Sequence, residues 1–250
     1  MFVLLPLLFK KLLLIFSTIN LFKENINFNQ KNIFVKLKNQ DLIIRVADER
    51  DVIYSEIITK EMEESAKARG TGIAKRSPEY ISKKINEGKA VIALTKENEW
   101  VGFCYIETWD GEYVANSGLI VSPKFRKSGI ARQIKKIVFE LSRKKYPNAK
   151  IFGLTTGLAV MKINSELGYE PVTYSELTKD EAFWDGCKNC VNYETLLSKE
   201  KKNCLCTAML YDPKDHFKPE ETIQYFKENL IGFERLIRFK QWKFLKKYFK

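Results

Sequence analysis

The sequence predicts an α/β domain built on a mixed, mostly antiparallel sheet, and three observations carry that prediction. Strand-like and helix-like segments alternate between residues 41 and 211, in the order strand, two helices, three strands, helix, strand, helix, strand. The breakers fall where such segments should end, with Pro78 at a helix start, Pro147 after a helix and Gly168 closing another. The 250 residues are 45% apolar and 30% charged, enough to bury a real core, which excludes collagen-like, disordered and multi-pass membrane classes.

Each element has a local reason. Residues 42–46 (Leu-Ile-Ile-Arg-Val) read as a short strand. Asp48 then caps a helix reaching about Arg69, with Ile53, Ile57, Ile58 and Met62 on its inner face. Ser77 caps a second helix whose first residue is Pro78. Residues 90–94 and 100–106 form two antiparallel strands joined by the turn 96–99, and residues 113–121 form a third. A long basic helix follows Gly129 and stops before Pro147. A strand at 151–154, a helix from about 158 to 167 and a strand at 206–211 complete the domain.

The two ends differ from this core. Residues 1–40 are apolar and then rich in Asn and Lys; Lys10 and Lys11 split the apolar run into 1–9 and 12–22, each short of the roughly 18–20 residues a spanning helix needs. These residues are expected to be an extension outside the domain. Residues 212–250 are expected to hold a basic amphipathic helix, with Ile223, Phe226, Leu230, Phe233 and Ile237 at helical spacing and an acid-free stretch from Arg235 to Lys250. That stretch suits either a membrane surface or nucleic acid, or a helix packed on the domain with a solvated basic face.

A net charge of +12 points to acidic partners: nucleic acid, an anionic surface or a phosphate-bearing ligand. Five cysteines, an odd number in a chain this long, point to a reducing, cytoplasmic setting with free or metal-bound thiols. His216 alone supplies no triad and no His-rich metal centre.

The most informative segment runs Val121-x-Pro123-x-x-Arg126-x-x-Gly129-x-Ala131, from a strand end into a helix N-terminus. Consecutive backbone N–H groups at such a terminus, together with the helix dipole, favour a pyrophosphate. Gly129 allows close backbone approach, small Ala131 avoids a clash, and Arg126, Lys127 and Arg132 add charge. This motif, in this element order, resembles the coenzyme A loop of the GNAT superfamily of N-acetyltransferases, over residues 41–211.

The resemblance implies a GNAT fold with a bulged central strand and a splayed strand pair that admits pantetheine, acetyl-CoA as co-substrate, and an amine acceptor entering from the opposite side. It assigns the backbone of Leu119, Ile120 and Val121 to pantetheine and thioester, and Arg126, Lys127, Ser128, Gly129, Ile130, Ala131 and Arg132 to the pyrophosphate. Asn164 stands beside the cofactor where many members carry a Tyr that protonates the thiolate. Asn cannot act as that acid; Tyr169, Tyr174 or unassisted departure are the alternatives.

Direct acyl transfer needs a base to neutralise an ammonium of pKa about 10. Glu107 is the first choice, with Asp110, Glu112 and Tyr113 as further catalytic candidates near the same strand ends. Arg69, Lys75 and Arg76, in the glycine-bearing loop between the first two helices, are expected to bind acceptor carboxylates. That loop, with residues 107–109, 115–119 and 183–187, also resembles a bacterial GNAT subgroup linked to N-acylation of glutamate in arginine biosynthesis. The resemblance therefore implies glutamate or a similar acidic amino acid as acceptor. A protein, peptide or polyamine amine is the alternative, and a binding protein acting through the basic C-terminal helix is the reading from a different class.

Cys187-x-x-Cys190 and Cys204-x-Cys206 are compatible with a structural zinc site, or with four ordinary thiols; Cys104 reads as core. Neither nucleic acid nor membrane is an expected partner of the acetyltransferase, and oligomeric state, a homodimer included, stays open.

Overall fold

The computed structural model describes residues 33–37, 40–70, 75–109, 111–188 and 190–216; the apolar N-terminal run and the basic helix expected at 219–250 lie outside these. Among the described residues, eight strands form one sheet in the order β1-β2-β3-β4-β5-β6-β8-β7. The strands are β1 (Ile33–Leu37), β2 (Gln40–Val46), β3 (Ala90–Thr95), β4 (Trp100–Trp109), β5 (Tyr113–Val121), β6 (Lys150–Thr155), β7 (Glu170–Val172) and β8 (Thr207–Tyr211). Every pairing is antiparallel except β5 with β6, so the sheet is mixed as the sequence predicts.

Helices cover both faces. On one face α1 (Ser55–Arg69) and α2 (Pro78–Asn86) pack Ile58, Met62, Ile81 and Ile85 against Ile92, Leu94, Phe103, Tyr105 and Ile120. On the other, α3 (Ile130–Lys145) packs Ile130, Ile134, Ile137, Val138 and Leu141 against Val91, Val101, Cys104, Ile106, Val114 and Ile151. Along β3 and β4 the buried residues alternate between these two cores, the period-two signature of strands covered on both faces. Cys104 is fully buried, as expected of a core residue. After α4 (Leu158–Glu166), the segment carrying α5 (Glu181–Asp185) and α6 (Tyr193–Ser198) places Tyr174, Leu177, Trp184 and Leu196 over Ala115, Phe152, Ala208 and Leu210.

Three local readings change. Residues 33–37, read with the N-terminal extension, pair as edge strand β1 on β2. The helix expected from Asp48 begins as a 3-10 turn over Glu49–Tyr54 before α1, capped by Asp48 through Arg50 N–H and anchored by Arg45, which donates to both oxygens of buried Asp51 at 2.6 and 2.9 Å. The tighter turn offsets the helical phase, which leaves Ile53 77% and Ile57 48% exposed while Ile58 and Met62 are buried. The last strand begins at Thr207 and not at Cys206.

The feature that shapes the centre is a bulge. Phe103 pairs with Ile120 but Tyr105 pairs with Ser117, so β5 carries one residue more than β4 across this interval. Gly118 takes φ +65°, and a Cβ there would lie 2.5 Å from the Tyr105 ring and 2.8 Å from Met62 Cε. On its other edge β5 pairs with β6 only from Tyr113 to Ala115, and beyond that point the parallel strands diverge.

Gly118→Ala is expected to destabilise the domain by about 2–4 kcal/mol, summing left-handed strain and overpacking. Gly111→Ala, at φ +68° with open space around it, should cost only about 1 kcal/mol. Urea midpoints at unchanged slope check both; equal losses at the two positions would remove the role of close packing at the bulge.

Candidate active site

The face of β4 that carries Phe103 and Tyr105 ends in Glu107, opposite α2. Tyr80 and Lys84 are four residues apart on α2 and therefore point the same way. The Tyr80 hydroxyl donates to Glu107 Oε2, and Lys84 Nζ donates to Oε1 at 2.5 Å. Lys84 is buried and the Glu107 side chain is 15% exposed, so the pair sits in a poorly hydrated seam. Burial pushes Glu107 up to about 7 and Lys84 down to about 8. Their direct contact favours the ion pair and opposes both shifts.

Arg76 enters the same seam from the loop before α2. Its Nε donates to Tyr105 Oη at 3.1 Å, its Nη1 donates to Lys75 O at 3.2 Å, and its guanidinium lies 5.2 Å over the Tyr80 ring. On the far side, a Cβ on Gly186 would stand 3.6 Å from Arg76 Nη2, so the segment after α5 closes the seam. The structure thus brings together Glu107 and Arg76, chosen from the sequence for different reasons, and adds Tyr80, Lys84 and Tyr105. Lys84 escapes a sequence reading because Lys83-Lys84 looks like a solvated basic helix end; the only signal is its phase beside Ile81 and Ile85 on the buried face.

The other acceptor-side candidates are placed apart. Lys75 is exposed, its Nζ 3.8 Å from Glu63. The side chain of Arg69, the residues 71–74 and Asp110 lie outside the described residues. Tyr113 pairs with Trp109, packs on Phe152 and lines a separate cleft of about 380 Å³; Glu112, exposed at the hairpin tip, lines it too. Neither reaches Glu107.

The loop after β5 has the local form read from its motif. Gly129 is the N-cap of α3 at φ +88°, a conformation costly for any residue with a Cβ. Arg132 and Gln133 N–H turn back to Gly129 O, while Ile130 and Ala131, in the first turn, have no intrahelical acceptor for their amides. Ser128 Oγ donates to Phe125 O, and Lys127 is exposed at φ +61°.

The two arginines expected to supply charge here are engaged elsewhere. Arg126 donates to Val121 O, Glu61 Oε1 and Ser65 Oγ, tying the loop to α1. Arg132 forms a two-pronged pair with Glu166 at 2.7 and 2.9 Å. Leu119, Ile120 and Val121 follow the bulge along the diverging edge of β5. Asn164 is buried on α4, donates to Met209 Sδ and, among the described residues, has no hydrogen-bond partner for its Oδ1.

Neither tyrosine suggested as an acid is poised to donate. Tyr169 donates to Asn116 Oδ1 at 3.1 Å and Tyr174 donates to Cys206 O at 2.9 Å. Burial raises both phenols above their usual range.

Of the two readings of the cysteines, structural zinc or four ordinary thiols, the zinc reading gains no support among the described residues. Cys187, Cys190, Cys204 and Cys206 are free thiols in one region, but no group of three or more His, Cys, Asp or Glu among the described residues is arranged to hold a metal ion. Burial, reinforced by the neighbouring thiols, pushes Cys187 up to about 11 and Cys206 up to about 12. Their contacts are to the protein: Asn192 N–H donates to Cys190 Sγ, and Cys204 Sγ donates to Asn192 O.

Residues 58–160 match the model of the acetyltransferase (GNAT) family. No curated protein matches the sequence. Among solved structures, the chain is similar to N-acetylglutamate synthase from Neisseria gonorrhoeae in complex with coenzyme A and N-acetyl-glutamate, at 17% identity and TM-score 0.49 over 68% of this chain and 35% of that one. A Mycobacterium tuberculosis protein in complex with coenzyme A is similar at 17% identity and TM-score 0.49, over 68% and 98% of the two chains. The ribosomal-protein-S18-alanine N-acetyltransferase from Escherichia coli is similar at 10% identity and TM-score 0.43, over 68% and 93%. The family match spans the bulged strand, the loop at Gly129 and the base candidate Glu107, so residues 58–160 lie in an acetyltransferase domain of the GNAT family.

Proposed function

We propose that this domain transfers an acetyl group from acetyl-CoA to the amine of a small acidic amino acid, with glutamate as the first candidate. The observation that carries the acceptor reading is the charge arrangement around Glu107. Among the described residues Arg76 bonds only to neutral groups, the Tyr105 hydroxyl, the Lys75 carbonyl and the Tyr80 ring, and its cation stands within electrostatic reach of the Glu107 carboxyl. An amino acid with its carboxylate on Arg76 would bring its amine toward the base.

The residues present fit coenzyme A in two respects. The glycine N-cap and first-turn amides at 129–131 suit a pyrophosphate, and the unpartnered Asn164 Oδ1 suits an amide N–H of the pantetheine arm. Acetyl-CoA supplies an activated thioester, which needs no covalent enzyme intermediate. Glu107, ionised, takes one proton from the acceptor ammonium, directly or through water, and leaves a neutral amine able to attack. Backbone amides around the bulge, near Ile120 and Val121, would meet the developing oxyanion. The departing thiolate has a pKa of about 8.5 and needs no dedicated acid, in keeping with the engaged Tyr169 and Tyr174.

Thiol release across a panel of amino acids and amines tests this reading: turnover with acidic amino acids is expected, and turnover only with peptides or polyamines would overturn the acceptor assignment. Arg76→Leu should raise KM for the acidic acceptor about 10–100-fold, as loss of a charge-assisted contact implies, with a smaller change in kcat.

Because Glu107 must be ionised to act and burial holds it near 7, kcat/KM should rise as pH increases through about 7. Glu107→Gln should remove that limb and lower kcat/KM about 10²–10⁴-fold. A Glu107→Gln enzyme with an unchanged pH profile would assign the base elsewhere.

A further inference from the structure

Both carboxylate oxygens of Glu107 are held by one face of one helix, an arrangement that a hairpin-end acid does not require. Lys84 reaches Oε1 at 2.5 Å and Tyr80 reaches Oε2, and Lys84 Nζ also lies 5.1 Å from the Tyr80 ring centroid. Burying an ammonium and a carboxylate costs several kcal/mol per ion unless each finds its counter-charge. Lys84 Nζ makes no other ion pair among the described residues, and the nearby Lys83 and Lys89 disfavour its charge while Glu87 favours it.

We propose, building on the base role given to Glu107, that Lys84 is a positioning residue that keeps Glu107 ionised and aimed along the seam, so that the base works at neutral pH in a buried setting. The charged and titratable groups facing Glu107 are few. Tyr80 and Lys84 face it from α2 and Arg76 from the loop before α2. From β4, Tyr105 has its hydroxyl engaged by Arg76, and across β5 the partner is Ala115, which has no charge. From the segment after α5, Cys187 is felt through Arg76. Of these, Lys84 alone is a cation in direct contact with the carboxylate.

A second consequence concerns selectivity. With Glu107 neutralised by Lys84, the charge of Arg76 is left for the acceptor. Loss of Lys84 turns Arg76 toward compensating Glu107, which weakens binding of an anionic acceptor as well as the base.

The test uses the full chain and the variants Lys84→Met and Lys84→Arg. The acid limb of kcat/KM should move up by about one pH unit or more in Lys84→Met, so that activity near pH 6.5 falls about tenfold or more and recovers near pH 9. Lys84→Arg should keep the wild-type limb. A uniform loss at every pH would mean that Lys84 only packs, and would overturn the proposal.

A readout independent of turnover is the side-chain carboxyl signal of Glu107 in ¹³C-glutamate-labelled protein, identified by its absence in Glu107→Gln. Its titration midpoint should rise in Lys84→Met; an unchanged midpoint overturns the role of Lys84 whether or not any acceptor is acetylated. A raised midpoint with no turnover of any amine would instead sink the acetyl-transfer reading and leave the coupling standing. Should Lys84→Met fail to fold, the reciprocal measurement decides: the Lys84 ammonium midpoint in Glu107→Gln should fall below wild type, and no change refutes the pairing.

Discussion

The domain is organised by the divergence of β5 from β6. Three residue pairs hold these parallel strands together, from Tyr113 with Lys150 to Ala115 with Phe152, and beyond them no strand among the described residues pairs with this edge of β5. Unpaired amides and carbonyls on a central strand are costly unless something else satisfies them. The extra residue at the bulge turns the strand just there, and Gly118 fits because Tyr105 and Met62 already occupy the space a side chain would need. The same strand then ends in the loop that caps α3 with Gly129. One irregular strand therefore lays out a line of backbone polar groups from the centre of the sheet to a helix N-terminus, which is the shape an extended, anion-tailed ligand fits.

On the neighbouring strand the governing term is desolvation. Glu107, Lys84 and Arg76 share a seam where water is scarce, so burial acts on the carboxyl and the ammonium alike while the Arg76 cation favours the ionised carboxylate. Burial lowers the Lys84 ammonium to about 8 and raises the Glu107 carboxyl to about 7, so each alone would hold its charge less firmly at neutral pH than in water. Together they retain charge, and the tyrosines hold them in place: Tyr80 against Glu107, Tyr105 against Arg76. The segment after α5 covers this group, with the Gly186 backbone coming close to the Arg76 guanidinium.

The parts that were legible in the sequence are those governed by neighbours within a few residues. Ser77 and Pro78 start α2, Asp48 caps the turn before α1, and Gly129 opens α3, each by a local hydrogen bond or backbone preference. Misreadings arose where a local pattern was interrupted. The 3-10 turn after Asp48 shifts the phase of the following helix, so Ile53 and Ile57 face water although their spacing to Met62 looks helical. The Asn- and Lys-rich stretch around β1 hides a strand that exists because β2 offers it an open edge. Cysteine spacing suggested a metal, but spacing does not specify whether four sulfurs converge.

By itself the sequence determined the order of strands and helices from β2 to α4, the glycine at the head of α3 and the presence of a carboxylate at the end of β4, because backbone propensity, capping and side-chain alternation act over a handful of residues. Only the tertiary structure decided that Lys84 faces inward to Glu107, that Arg126 is tied to Glu61 and Ser65 on α1, and that Arg132 is paired with Glu166. Charges find their partners across long stretches of chain, and whether a given charge is paired, buried or free depends on which distant residues the packed core brings beside it.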